Sequence, residues 1–274
     1  VSASNVKNRP YIPAVREAAI QQFRDKVGSD FRFAEVVAII PALNEEECIA
    51  AVLEAMPAQA CGRDVDILVI DDGSTDATAE VAAKYDHVYC SRLERNCGHG
   101  VALRVGYQLC EEFGAKIIAT LDADMQWDPA ELPTVLEPVA AGEADFAIGS
   151  RVLGTTEADD AVRNAGVAFF GWLFRTLTGA KLTDTSSGFR VFTTEVARTV
   201  PQVQVQYQTS EFLIGAVYAG FRITERPITM HKRLAGQSKK GGNIFYGTRY
   251  AWVILSTWGR ERRRARREGR TVGR

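Results

Sequence analysis

Along the chain, short β-branched runs alternate with longer stretches whose apolar residues recur every three or four positions. EVVAII (Glu35 to Ile40) reads as a strand. NEEECIAAVLEAM then has helical spacing, with Asn44 as a candidate N-cap. VDILVID (Val65 to Asp71) predicts a second, fully buried strand, and DATAEVAAKY a helix after the GST turn. HVYC predicts a third strand, and GHGVALRVGYQLCEEFG a helix that opens on glycines and ends at Gly114. KIIATLD (Lys116 to Asp122), ELPTVLEPVA and ADFAIGSR continue as strand, helix and strand. This rhythm predicts the α/β class, with a mostly parallel central sheet flanked by helices and ligands bound beyond the carboxyl ends of the strands.

Past Arg151 the character changes. NAGVAFFGWLFRTLTG is a mostly apolar helix, DTSSGFRVF a turn entering a strand, EFLIGAVYAG a helix and FRITERPITMHKR a strand. A basic, glycine-rich loop, LAGQSKKGGN, leads to IFYGTRYAWVILSTW, a helix whose polar stripe is Thr248, Arg249 and Ser256. A helix apolar over so much of its girth is expected to be buried. Residues 1–34 carry a helical pattern near Val15 to Val27 and read as an appended arm.

The chain of 274 residues is 46% hydrophobic, enough for a substantial core and unlike a disordered chain. Its apolar runs fall short of a membrane span, and no signal peptide is read at its start. Five cysteines without a CxxC pair suggest neither a disulfide framework nor a zinc site, and fit a reducing cytoplasm. Residues 260–274 hold eight Arg against two Glu, a charge of +6, which leaves −7 on the rest of a chain whose net charge is −1. The tail reads either as a solvated terminus or as a contact for anionic lipid or nucleic acid.

Acids gather at the predicted strand ends: Asp71, Asp72 and Asp76 after the second, Asp122 and Asp124 after the fourth, with Pro41, Asn44 and Glu45 after the first. Residues i and i+2 of an extended segment point the same way, so Asp122 and Asp124 present two carboxylates to one side. Two readings follow: caps for the helix near Pro129, or hard oxygen ligands for Mg²⁺ or Mn²⁺ beside a diphosphate. Asp71 and Asp72 likewise read as turn residues or as nucleoside contacts. GHG at Gly98 to Gly100 reads as a plain helix start or a weak phosphate site. His87 and His99 are not spaced as metal ligands, and no Ser/His/Asp or Cys/His set appears.

Seven segments in order, IIPALNEEECI, ILVIDDGSTDATAEV, NCGHGVALRVG, TLDADMQWDPAELP, FAIGSR, DTSSGFRVF and RLAGQSK, resemble family 2 glycosyltransferases of the GT-A (Rossmann-like) nucleotide-diphospho-sugar transferase fold. The likeness is strongest to the polyprenyl-phosphate sugar synthases typified by dolichol-phosphate mannose synthase, and runs from about Val36 to Lys239. It implies that Pro41, Asn44 and Glu45 border the nucleotide and that Asp72 meets base or ribose, with Gly100 and Ala123 among the donor contacts. It implies Asp122, Asp124 and Gln126 as holders of Mg²⁺ or Mn²⁺, and Arg151, Arg233 and Lys239 near the phosphates. His99 stands where the family often has lysine; the arm, the Arg-rich tail and the lack of appended spanning helices are departures.

The resemblance divides the chain into an arm (1–34), a nucleotide-sugar-binding half (35–151), an acceptor-side half of the same domain (152–243) and a C-terminal helix with its tail (244–274). It implies metal-dependent transfer, with inversion, from a GDP- or UDP-sugar to a polyprenyl phosphate at an anionic membrane surface. The catalytic candidates are then Asp122, Asp124, Arg151, Arg233, Lys239 and Asp184. Such an enzyme is expected to be cytoplasmic and peripheral on the inner face of the cell membrane; a homo-oligomer is compatible, and nucleic acid is not expected. The alternative is a soluble family 2 enzyme acting on a hydroxyl, for which Asp184 or Glu211 is the candidate base. An alternative of another class is a noncatalytic nucleotide-sugar or nucleic-acid binding module.

Overall fold

The computed structural model describes residues 11–157, 161–234 and 243–269. The central strand is β1 (Val36–Ala42), buried along its whole length. Such a continuous apolar run suits a strand covered on both faces. It pairs in parallel with β3 (Arg63–Asp71) on one side and with β5 (Ile117–Thr120) on the other. β3 pairs in turn with β4 (Val88–Arg92), in parallel, and with the short β2 (Gln59–Ala60), antiparallel. Beyond β5 the direction reverses: β7 (Arg190–Thr193) is inserted antiparallel between β5 and β6 (Phe146–Thr156), and β8 (Ile223–Met230) closes the edge parallel to β6. The sheet order is β2-β3-β1-β5-β7-β6-β8, with β4 beside β3.

One face is covered by α2 (Ile49–Ala55), α3 (Thr78–Ala82) and α5 (Leu132–Ala140). The other carries α1 (Ile12–Val27), α4 (His99–Glu112), α6 (Ala161–Thr178), α7 (Thr194–Thr199), α8 (Gln208–Ala219) and α9 (Asn243–Arg267). α1 lies in the segment set apart as an arm, yet Ile20 and Phe23 are buried in the same cluster as α4 and β1.

Two local expectations change. Asn44 does not cap a helix: α2 starts at Ile49, and Asn44 sits at φ 51°, its side-chain oxygen accepting from Thr75 N at 2.8 Å. α9 is not buried around its girth. It buries Tyr250, Val253, Ile254 and Thr257 but leaves Trp252 and Leu255 about half exposed. Among the described residues, no helix is long and apolar enough to cross a membrane.

Candidate active site

Three strand ends meet on one rim. After β1 the chain turns at Asn44, and the loop after β3 is stitched to it: Asn44 N donates to Ser74 Oγ and Glu45 N to Thr78 Oγ1, both at 2.9 Å. Asp71 is fully buried, accepting from Ser74 N at 2.8 Å and pairing with Arg92 at 3.1 Å. Both oxygens of Asp72 accept backbone amides, from Cys97 at 2.7 Å and Gly98 at 2.8 Å. Asp72 thereby ties the β3 loop to the glycine turn that opens α4.

At the end of β5 the pattern differs. Asp124 is buried to 4% exposure, and Met125 after it takes φ 58°, which folds the loop back. Its Oδ1 accepts from Gln126 N at 3.1 Å, while its Oδ2 meets Arg233 Nη2 at 2.5 Å. Burial pushes the Asp124 carboxyl up to about 6; the negative charge of Asp122 adds to the rise and the Arg233 guanidinium opposes it. Two acids held this close in partial burial favour a cation. Arg233 also reaches Glu45 Oε1 at 3.5 Å, so the first and third strand ends share one guanidinium. The chain before Arg233 is pinned to the same loop, with His231 N donating to Gln126 O at 2.9 Å and Trp127 bridging to Met230. A Cβ at Gly188 would lie 2.6 Å from Asp122 Oδ2, so only a residue without one leaves Asp122 its place. A pocket beside Asp122 is lined by Pro41, His99, Thr120, Gly188, Arg190 and Gln208.

Among the described residues, no group of three His, Cys, Asp or Glu side chains is arranged to enclose a metal ion. The chemistry of the oxygens nonetheless fits a hard cation held by two carboxylates and completed by phosphate, which is how Mg²⁺ is commonly bound in nucleotide sites. Asp122 and Asp124, with the Gln126 amide next in line, would hold it.

Of the remaining expected residues, Arg151 lies against the acidic loop and Asp184 and Glu211 are closed into ion pairs. The β6 to β8 register shifts between Ser150 and Thr155, which turns Arg151 inward and leaves Val152 and Leu153 exposed. Arg151 forks onto fully buried Asp184, Nε to Oδ2 at 2.6 Å and Nη2 to Oδ1 at 3.0 Å, and lies 5.1 Å over the Trp127 ring. Glu211 on α8 is also fully buried. Its Oε2 accepts from Val203 N and Gln204 N at 2.9 and 2.8 Å, and its Oε1 pairs with Arg260 of α9 at 2.8 Å. Neither carboxylate weighed as a base is thus free: each is closed by an arginine. Arg260, read on sequence as part of the tail, is a buttress of α8. Lys239 lies outside the described residues.

Arg190 was not singled out from the sequence. It is buried on neutral acceptors, the carbonyls of Ser187 at 2.8 Å, Thr209 at 2.6 Å and Thr185 at 3.0 Å, and burial lowers its pKa. The visible signal was a lone cation between apolar residues in SSGFRVF.

Comparison with known proteins gives the family and the fold. The model of the family described as "Glycosyl transferase family 2" matches residues 37–200. The chain is 32% identical to the polyprenol monophosphomannose synthase of Mycolicibacterium smegmatis over 81% of its length and 85% of the relative's. It is 30% identical to the undecaprenyl-phosphate mannosyltransferase of Micrococcus luteus over 82% and 93%. Among solved structures, glucosyl-3-phosphoglycerate synthase from Mycobacterium tuberculosis, in complex with Mn²⁺, UDP and glucosyl-3-phosphoglycerate, superimposes with a TM-score of 0.67 at 17% identity, covering 88% of this chain and 83% of that one. That likeness carries the GT-A fold. The strand-end acids, the loops that hold them and the family match over most of the sheet lead to one assignment: this chain is a glycosyltransferase and belongs to glycosyl transferase family 2.

Proposed function

We propose that the chain moves a sugar from a GDP- or UDP-sugar to a polyprenyl phosphate, with inversion, in the presence of Mg²⁺ or Mn²⁺. The observation that carries the acceptor class is the state of the two candidate bases: Asp184 and Glu211 are fully buried, and both are paired with arginine. A hydroxyl acceptor needs a base within reach of its proton, whereas a phosphate is already anionic at pH 7. The names of the two mannosyl-transferring relatives support the same class.

In this reading Asn44 and Glu45, with the loop held by Asp72, shape the nucleotide pocket. Asp122, Asp124 and Gln126 hold the cation, which when bound offsets charge on the departing diphosphate. Arg233 lies on Asp124 and Glu45 and is placed to follow negative charge as the phosphates arrive. Arg151 acts from behind, bracing Trp127 and through it the acidic loop. Lys239, from the resemblance, and Gly100 and Ala123, from their places in the glycine turn and between the two carboxylates, complete the proposed donor contacts.

A lipid-linked acceptor requires residence at a bilayer. α6 and α9 supply a face for it: Phe169 and Trp172 on α6, 5.9 Å between ring centroids, and Trp252 and Leu255 on α9 are all about half exposed. Farther along α9, at spacings that keep them on the Trp252 side, Arg262, Arg263, Arg266 and Arg267 are exposed. Apolar side chains followed by cations on one helix face suit an anionic lipid surface, which supports the reading of a peripheral enzyme on the inner, cytoplasmic face of the membrane. The deciding experiment is a donor panel of GDP- and UDP-sugars incubated with and without a polyprenyl phosphate, with products followed by mass. Sugar appearing only on the lipid phosphate is expected; transfer to a hydroxyl acceptor alone would overturn the proposal.

A further inference from the structure

Glu211 has no place in the chemistry proposed above, yet it is a fully buried acid at the start of α8. A carboxylate in that position is tolerated only if its oxygens are all matched. Three groups match them, and they come from two directions. Val203 N and Gln204 N belong to the loop before α8, and Arg260 belongs to the C-terminal helix.

That loop is in turn the bed of the glycine turn. Gly100 N donates to Val205 O at 2.9 Å, and Arg104 Nη1, one turn into α4, donates to Gln204 O at 2.6 Å. The approach leaves no room for side chains: a Cβ on Gly98 would lie 2.4 Å from Val205 Cγ1, and one on Gly100 would lie 2.6 Å from Gln204 O. Gly98 also takes φ 104°, a conformation that glycine enters freely. On its other side the turn is held by Asp72, and His99 within it lines the pocket beside Asp122.

We infer that Glu211 is a positioning residue for the donor pocket, and that Arg260 makes the C-terminal helix part of that pocket's construction. The carboxylate sets the height of the 203–205 loop, the loop sets the glycine turn, and the turn presents the start of α4 to the donor. This rests on the reading that the Asp72 and Gly98 to Gly100 region borders the nucleotide. It gives Glu211 a role through backbone placement, distinct from proton transfer.

The test uses the full chain and two readouts. The first is amide hydrogen exchange over residues 97–104; the second is binding of UDP and GDP in the presence of Mn²⁺, by calorimetry. Glu211→Gln, which keeps an acceptor for the two amides but loses the ion pair, and Arg260→Met, which approaches the pair from the other helix, should each speed exchange in 97–104 and weaken nucleotide binding about tenfold. Glu211→Ala should do more, and Arg260→Lys should restore most of both. kcat at saturating donor should stay within about threefold of wild type in the Gln variant. Unchanged exchange in 97–104, or unchanged nucleotide affinity alongside a lowered Tm, would overturn the inference and leave Glu211 as a fold residue. Loss of kcat with donor affinity intact would overturn it in favour of a base. Failure of the wild type to use polyprenyl phosphate would count against the acceptor reading alone, since neither readout involves the acceptor.

Discussion

Two regions of this molecule bury acids and treat them in opposite ways. In the part of the chain beyond Arg151, Asp184 and Glu211 are each closed by an arginine at hydrogen-bond distance. At the end of β5, Asp124 faces the like charge of Asp122, and the guanidinium of Arg233 does not bring its carboxyl back to the ordinary range. The first arrangement is electrostatically complete and needs nothing more. The second carries negative charge in excess, which supports the cation proposed there.

The strongest way to break this contrast is to neutralise one acid in each region. Asp124→Asn is expected to lower transfer at least about 100-fold, since it removes a ligand charge from the cation site. Its Tm near neutral pH should not fall, because the lost carboxylate was disfavoured by burial and by Asp122. A variant as active as wild type, or activity undiminished in EDTA, would remove the cation from the account.

Asp184→Asn should behave in the reverse manner. It strands Arg151, only 8% exposed, without its partner, at a cost of about 3 kcal/mol in stability, while the folded fraction keeps substantial kcat. A thermally normal but inactive Asp184→Asn would instead make Asp184 the base for a hydroxyl acceptor. The two substitutions together separate structural acids from functional ones.

A smaller effect follows from the raised carboxyl of Asp124. A carboxyl titrating near 6 is mostly ionised at pH 7 and mostly protonated at pH 5, and only the ionised form binds the cation. Mn²⁺ affinity of the nucleotide-free protein, followed by the electron paramagnetic resonance of free Mn²⁺, should drop about tenfold over that interval. The stability of the metal-free protein should change in the other sense. The folded state binds more protons than the unfolded chain between the ordinary Asp range and 6, so this group's contribution rises as pH falls through that window. Asp124→Asn should abolish both trends.

The smallest expected effect concerns α9, whose two faces repeat the contrast. Its inner face pairs Arg260 with Glu211, whereas Arg262, Arg263, Arg266 and Arg267 are exposed on the outer one. Replacing the four outer arginines with glutamine should reduce flotation with anionic liposomes several-fold at low salt and leave Tm unchanged, at about 1 kcal/mol per residue near the lipid surface. High salt should weaken the wild type in the same direction. Flotation indifferent to both changes would assign this face another partner.

By itself the sequence determined the strand and helix succession, apart from the short β2 and α7, and the placing of acids at strand ends, because periodicity, turn residues and local spacing act over a few positions. VVAIIPA could only be a buried strand, and the acids that follow each strand stand at the rim by chain order alone. Tertiary structure decided that β7 enters antiparallel between β5 and β6, a choice that depends on packing across the whole sheet. It also decided which acids are spent. Asp184 meets Arg151 across 33 residues, Glu211 meets Arg260 across 49 and Glu45 meets Arg233 across 188. The role of a carboxylate follows from the charge beside it in space, and these partners come together only when distant segments pack.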